Sequence, residues 1–225
     1  MQGTTPSSIL WTMLTTDRLL QENKELVDLV AKHTLPLQLC NGTLSDDVLY
    51  IYSAQDQKFF ITSLRLIALY TSKAPTEKAL LRLCKQIGFL MDQENDYFGN
   101  CMKLTEREPL KQYVHKTLPK VQNYLDFLND MPSSRNYQQW VTHMWCAEYV
   151  YWRWAHDLPR AENLEWKHQE WIRLHDGDHF EEWCQFLASE VNKYSYEEVS
   201  GIFKETLKLE KGFFDACEEA AKATK

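Results

Sequence analysis

The chain has 225 residues and a net charge of −7, and 44% of its residues are hydrophobic. The negative charge, without any basic cluster, argues against nucleic-acid binding. No apolar run approaches the roughly 18 residues that a membrane span needs, and the polar start does not resemble a secretion signal, so we expect no membrane association. The six cysteines are scattered without a Cys-x-x-Cys pair, which favours reduced thiols and a cytoplasmic location.

Only 7 Gly and 7 Pro are present, few for a sheet-rich fold with many turns. We therefore predict one all-α domain over residues 1–225, with seven or eight helices. In chain order, the predicted helices lie at about 8–32, 45–73 (capped by Thr43 or Ser45), 75–98, 109–131 with a break at Pro119, 135–157, 165–174 and 181–191, and a last helix opens at Ser195 and Glu198.

Three predicted helices carry an acidic residue on a face that is otherwise apolar: Asp56, Glu148 and Glu210. Residues three and four apart share one helix face, so these carboxyl groups should point inward. A buried carboxylate is costly unless it is paired, hydrogen-bonded or protonated. The pattern predicts a shared polar pocket of the kind in which enzymes keep acids and bases. Glu94 is a fourth acid on an apolar stripe. Each acid, taken alone, also fits a structural role beside an arginine, a tyrosine or a backbone group.

Cys146 is a further candidate, since it lies two residues before Glu148. The helical repeat separates the two by about 200° around the axis, so they cannot both face the centre of one pocket. An isolated cysteine on a helix is more often a small hydrophobic residue than a nucleophile.

Metal-binding patterns are present but poorly placed. Glu165 with His168, and Asp176 with His179, have the i, i+3 spacing of di-iron helical proteins. Both pairs lie in the broken region after the Trp-rich helix rather than on long facing helices. His33 precedes a turn, where a helix cap is a more common role than a haem ligand. We therefore expect no metal and no cofactor.

Several short motifs occur in a typical order between about residue 33 and residue 217. They are His33-Thr-Leu-Pro36, Asn41-Gly42-Thr43-Leu44, Tyr52-Ser-Ala-Gln55-Asp56, Trp145-Cys-Ala-Glu148-Tyr-Val-Tyr151, Leu174-His-Asp-Gly-Asp178-His-Phe180 and Leu209-Glu210-x-x-Phe213-Phe214. Together they resemble the TenA (thiaminase-II) family. The segment around Glu148 is similar to the glutamate-type branch of that family, known from plants.

The resemblance implies an all-helical, haem-oxygenase-like fold without haem, and a homodimer or homotetramer. It implies an enzyme of thiamin salvage that hydrolyses 4-amino-5-aminomethyl-2-methylpyrimidine, or its N-formyl form, to the hydroxymethylpyrimidine. It further implies that Asp56 holds the amino group and ring nitrogen of the pyrimidine, that Glu210 transfers a proton at the departing amine, and that Glu94 lies behind the site. The implied substrate-binding residues are Asp56, Phe59, Tyr124, Tyr151, His175 and Phe213.

The chain departs from the family pattern at Phe59, Val150 and His175, where the family often carries tyrosine. Cys146 falls where the cysteine branch has its nucleophile, whereas Glu148 fits the glutamate branch, and either side chain could activate water. These differences argue against thiaminase activity and favour degraded or formylated aminopyrimidines. Two alternatives stay open: a non-catalytic pyrimidine-binding or regulatory protein, and a di-iron oxidase on the same bundle.

Overall fold

The computed structural model describes residues 13–91 and 95–224, and within these ranges the chain forms twelve α-helices and no strand. The helices are α1 (Thr15–Glu22), α2 (Lys24–Ala31), α3 (Thr34–Cys40), α4 (Asp46–Thr71), α5 (Glu77–Phe89), α6 (Asn95–Thr105), α7 (Gln112–His115), α8 (Pro119–Ser134), α9 (Tyr137–Asp157), α10 (Trp166–His175), α11 (Asp178–Val191) and α12 (Tyr196–Ala223). The all-α prediction is confirmed, but the predicted count of seven or eight helices is too low.

The additional helices arise where a predicted helix is interrupted. The predicted first helix divides at Asn23, whose backbone leaves the helical conformation (φ −119°, ψ 19°). The carbonyl of Leu19 accepts hydrogen bonds from both the backbone N–H and the side-chain amide of Asn23, which closes α1 at this point. Within the predicted helix over 75–98, the described residues form α5 and α6, and residues 92–94 between them lie outside the described part of the chain. The sequence pattern does not predict the short helix α3, because Pro36 resembles a helix breaker, although the first turn of a helix tolerates proline.

The predicted helix boundaries hold where a capping side chain defines them. Ser45 accepts a hydrogen bond from the backbone N–H of Val48 at the start of α4. A capping box of Ser195 and Glu198 opens α12, as predicted. The predicted helix end at residue 131 is too early, since α8 continues through Pro132 to Ser134.

The long helices α4, α8, α9 and α12 surround the central part of one continuous hydrophobic core. The ring of Tyr70 stacks on Trp140 at a centroid distance of 4.8 Å, and Tyr52 meets Tyr151 several turns away. Helix α4 therefore runs antiparallel to α9, which places the inner faces of both helices opposite each other over several turns. In the described ranges no helix is long and apolar enough to cross a membrane, and all six cysteines are free thiols.

Candidate active site

A cavity of about 60 Å³ lies inside the bundle, between α4, α9, α10 and α12. This volume is room for roughly four to six water molecules. The wall is mostly apolar and aromatic, with a few polar groups, which is the usual composition of a small-molecule site. The lining residues are Asp56, Phe59, Phe60, Ser63, Leu64, Ile67, Leu90, Met144, Ala147, Glu148, Tyr151, Trp171, His175 and Glu210.

The three acids on apolar stripes meet in this cavity. Asp56 comes from α4, Glu148 from α9 and Glu210 from α12, and all three line the wall. Asp56 and Glu210 are only 6% and 2% exposed, so most of their hydration is lost. Glu94, the fourth predicted acid, lies outside the described residues.

Glu210 is the most strongly perturbed of the three acids. Burial raises the pKa of its carboxyl from an ordinary 4.5 to about 8, and the nearby charges of Asp56 and Glu148 act in the same direction. The hydroxyl of Tyr124 donates a 2.5 Å hydrogen bond to Oε1 of Glu210, which favours the ionised form and limits the rise. Glu210 is therefore protonated at neutral pH, and Oε2 is left to carry the proton.

Asp56 titrates close to neutrality. Burial raises its pKa to about 7, the Tyr52 hydroxyl counteracts this rise, and the charge of Glu148 adds to it. Tyr52 is itself held in place, since its hydroxyl lies 3.0 Å from the hydroxyl of Tyr151 and accepts a 3.1 Å hydrogen bond from the indole N–H of Trp171. At neutral pH, Asp56 can therefore both donate and accept a hydrogen bond, depending on its proton.

Glu148 is half-buried and faces the cavity. Burial raises its pKa to about 7, whereas the positive charge of Arg82 acts against that rise. The guanidinium carbon of Arg82 lies 4.8 Å from the centroid of the Trp183 ring, so the cation stacks on that indole. Among the described residues that shift the pKa values of the three acids, Arg82 is the one cation. Glu148 is the acid that the surroundings best support in its ionised form.

His175 supplies a neutral acceptor in the cavity wall. Its Nδ1 lies 2.8 Å from the carbonyl oxygen of Trp171. A carbonyl can only accept, so Nδ1 carries the hydrogen and Nε2 has a free lone pair. Burial lowers the pKa of His175 to about 4, so the imidazole is uncharged at neutral pH.

Of the four phenylalanine and tyrosine residues that were predicted to bind substrate, two line the cavity and two pack behind it. Phe59 and Tyr151 line the cavity itself. Tyr124 and Phe213 pack behind it, with ring centroids 4.9 Å and 6.3 Å from that of Phe59. Tyr124 reaches the site through its hydrogen bond to Glu210 rather than through the wall.

The structure does not bring Cys146 into the cavity wall. Its Sγ lies 3.5 Å from the carbonyl oxygen of Phe203, toward which the thiol donates, and the side chain is fully buried. Burial and the charge of Glu210 raise the pKa of the thiol well above its usual range, so it is not a thiolate. The prediction that Cys146 and Glu148 face different directions is confirmed, because Glu148 lines the cavity and Cys146 does not.

Residues of the two pairs that have metal-ligand spacing make other contacts or none. Asp176 binds His156 and Arg160, and both ring nitrogens of His168 are enclosed without a hydrogen-bond partner. Among the residues that the structure describes, no group of three or more His, Cys, Asp or Glu side chains is arranged to hold a metal ion. His33 caps α3, as its position suggested: Nδ1 accepts from the N–H of Leu35.

Sequence reasoning missed two groups at the site, Ser63 and Arg82. Ser63 lies two helical turns after Asp56 on the same face of α4, so helical periodicity alone could have placed it in the pocket. Arg82 comes from α5, and no sequence signal connects that helix to Glu148.

The fold and the site define a class of protein: an all-α bundle with a small cavity lined by acidic and aromatic side chains. The family model described as the TENA/THI-4/PQQC family matches residues 20–220. The chain belongs to this family, which confirms the resemblance that its motifs show.

Solved structures of similar fold come from several prokaryotes. A TenA homologue from Pyrococcus furiosus is 20% identical, with a TM-score of 0.78, and the match covers 91% of this chain and 100% of that one. A protein from Sulfolobus solfataricus, proposed as a TenA-like thiaminase, is 17% identical, with a TM-score of 0.75 and coverage of 93% and 98%. A protein from a Silicibacter species, described as a TenA family transcription regulator, is 18% identical, with a TM-score of 0.77 and coverage of 90% and 96%. No curated protein matches the chain.

Proposed function

We propose that the protein is an aminopyrimidine aminohydrolase of thiamin salvage. The reaction would convert 4-amino-5-aminomethyl-2-methylpyrimidine and water to the hydroxymethylpyrimidine and ammonia. The observation that carries the proposal is the meeting of Asp56, Glu148 and Glu210 in the wall of one cavity. Membership of the TENA/THI-4/PQQC family and the proposed thiaminase among the similar structures support it.

Asp56 would hold the pyrimidine. One edge of an aminopyrimidine presents an amino group that donates and a ring nitrogen that accepts. A carboxyl group that shares one proton with this edge matches both atoms at once, and a pKa of about 7 allows Asp56 to do so at neutral pH. Phe59, in the adjacent wall, would pack against a face of the ring.

Glu210 would be the general acid. Breaking the bond between the methylene carbon and the nitrogen requires a proton on the departing amine. Glu210 is protonated at neutral pH because its pKa is raised to about 8, and Tyr124 fixes the orientation of the carboxyl group. The proton would pass from Glu210 to the nitrogen as ammonia leaves.

Glu148 would be the general base that takes a proton from the attacking water. The new bond joins the water oxygen to the methylene carbon while the carbon–nitrogen bond breaks. After the step, Glu148 carries a proton and Glu210 has lost one, so exchange with solvent resets both groups. The charge of Arg82 supports the ionised form of Glu148 before the reaction. Of the two candidates for this role, Glu148 is favoured over Cys146 because it lines the cavity.

The direct test is ammonia release from the aminomethylpyrimidine by purified protein that has been treated with a chelator, beside Glu210→Gln. We expect turnover that survives the chelator and falls by at least about 100-fold in the variant, the size typical of a lost general acid. Saturable binding without turnover would refute the hydrolase and support the second candidate below. Turnover that disappears with the chelator and returns with iron would instead indicate a di-iron oxidase.

The second candidate is a non-catalytic pyrimidine-binding or regulatory protein. Phe59 and His175 replace tyrosines of the family pattern, so the cavity lacks two hydroxyls. One of the similar structures is described as a transcription regulator. Binding of the aminopyrimidine would then quench tryptophan fluorescence through Trp171 without any product.

A further inference from the structure

His143 is a buried titratable residue that the proposed mechanism does not use. It lies on α9 and is fully enclosed, with its Nδ1 3.1 Å from Oγ1 of Thr206 on α12. The hydroxyl of Thr206 donates its one hydrogen to the carbonyl of Ile202, at 2.8 Å, so toward His143 its oxygen can only accept. Nδ1 therefore carries the hydrogen, and the bond to Thr206 sets the orientation of the imidazole ring.

The same imidazole keeps an unsatisfied nitrogen. Its Nε2 is enclosed and has no hydrogen-bond partner among the described residues. Burial lowers the pKa of His143 to about 3, so the ring is uncharged at neutral pH. An enclosed nitrogen without a partner destabilises the folded state, and a phenylalanine would fill nearly the same space without that cost. The imidazole differs from a phenyl ring by its directed bond to Thr206, so we look for the reason for a histidine in the orientation of its ring.

The oriented ring of His143 supports Tyr124. The centroids of the two rings lie 5.9 Å apart and their planes meet at 83°. Phe127, one turn further along α8, packs against both, at 5.6 Å from His143 and 6.2 Å from Tyr124. Edge-to-face contacts favour one relative orientation of the rings. Tyr124 in turn donates its 2.5 Å hydrogen bond to Oε1 of Glu210.

These contacts form a closed loop between three helices. Thr206 and Glu210 lie four residues apart on α12, so they share one helix face. From Thr206 the contacts pass to His143 on α9, then to Tyr124 on α8, and then to Glu210. A change at His143 or Thr206 therefore loosens the direction of the Tyr124 hydroxyl.

We propose that His143, held by Thr206, is a positioning residue that directs the Tyr124 hydroxyl at Glu210 and so tunes Glu210 as a proton donor. This inference deepens the proposed function and rests on it, because it takes Glu210 as the general acid. His143 acts only through Tyr124, since it does not line the cavity.

Several other titratable groups also face Glu210, and a substitution at His143 changes none of them. Any shift in the pKa of Glu210 in such a variant therefore reports on the bond from Tyr124. The groups are Asp56 on α4, Tyr124 on α8, and Cys146, Glu148 and Tyr151 on α9.

The test is the pH profile of kcat for ammonia release from the aminomethylpyrimidine by His143→Phe. Phenylalanine keeps a ring but loses the bond to Thr206, so Tyr124 should donate less well to Glu210. The pKa of Glu210 then rises, and the basic limb should move up by about 0.5 pH unit. The urea midpoint of unfolding should stay the same or rise, because the unsatisfied nitrogen is gone. A merely structural role predicts the opposite pair, a lower midpoint and an unmoved limb.

Three further variants make the test specific. Thr206→Val leaves the Nδ1 hydrogen of His143 without an acceptor, so it should move the limb in the same direction although it lowers the urea midpoint. Thr142→Val is the matched control and should leave the limb in place, because Thr142 is equally buried on α9 but its hydroxyl bonds the carbonyl of Gln138 in its own helix. Tyr124→Phe already lacks the bond to Glu210, so adding His143→Phe to it should move the limb no further.

Three results would overturn the inference: a limb that neither His143→Phe nor Thr206→Val moves, an equal shift in Thr142→Val, or an additional shift when His143→Phe is combined with Tyr124→Phe. If the wild type released no ammonia, the proposed hydrolase would fail, and the role of His143 would be decided without turnover. The difference in free energy of unfolding between the wild type and Glu210→Gln declines as the pH rises through the folded-state pKa of Glu210. A decline centred about 0.5 pH unit higher in the His143→Phe background supports the role of His143, and an unchanged centre refutes it.

Discussion

Glu210→Gln should stabilise the protein at high pH while it abolishes activity. The pKa of Glu210 is raised in the folded state, so folding favours the protonated form. Its contribution to stability is fully present below an unfolded-state pKa of about 4.5 and is lost as the pH rises through the folded-state pKa of about 8. Glutamine cannot ionise, and its amide oxygen can still accept the hydrogen bond from Tyr124.

The size of the effect follows from the two pKa values. A pKa that rises from 4.5 to about 8 corresponds to an upper limit of ~5 kcal/mol at about 1.36 kcal/mol for each pKa unit. The protein interior adjusts to the charge and lowers this cost, so we expect a gain of about 2 to 4 kcal/mol for the variant near pH 8.5. Near pH 4.5 the difference should be below about 1 kcal/mol.

Urea unfolding followed by tryptophan fluorescence at a series of pH values measures both quantities. The matched control is Glu205→Gln on the same helix, because Glu205 is exposed and its ion pair with Arg135 lies on the surface. The reasoning would be refuted if the free energies of unfolding of wild type and Glu210→Gln differed by the same amount at every pH.

Three further substitutions have defined outcomes. Tyr124→Phe removes the hydrogen bond that favours ionised Glu210, so the basic limb of the kcat profile should move up by about one pH unit; an unchanged limb would show that Glu210 is not the acid. Arg82→Met removes the cation beside Glu148, so its pKa should rise, and kcat/KM near pH 6 should fall about fivefold while the value near pH 8 changes little. An equal loss at both pH values would contradict this role. Cys146→Ala should keep kcat within about threefold, because the thiol lies outside the cavity wall; complete inactivation would make Cys146 the nucleophile.

Helical periodicity is enough to predict the acidic pocket. A helix has 3.6 residues per turn, so an acid on an apolar stripe must face the core, and the sequence alone places Asp56, Glu148 and Glu210 there. The same geometry separates Glu148 from Cys146. These inferences succeed because each depends on only one helix.

Features that depend on tertiary packing or on the conformation of a single residue could not be predicted in this way. Arg82 approaches Glu148 from another helix, and only tertiary packing brings them together. The missing hydrogen bond of Ser63 depends on the direction of one hydroxyl. The helix break at Asn23 is a change in the backbone conformation of a single residue, which the residue pattern does not predict.

The dependence of kcat on pH for ammonia release from the aminomethylpyrimidine tests the central claim most directly. The account requires ionised Glu148 and protonated Glu210, so it predicts a narrow bell with apparent pKa values near about 7 and about 8. Because the acids interact, these values belong to the group of carboxyls as a whole. In Glu210→Gln, the pH profile of the residual kcat should lose its basic limb. A rate that rises steadily above about pH 9, or a basic limb that persists in the variant, would contradict the claim that Glu210 is the proton donor.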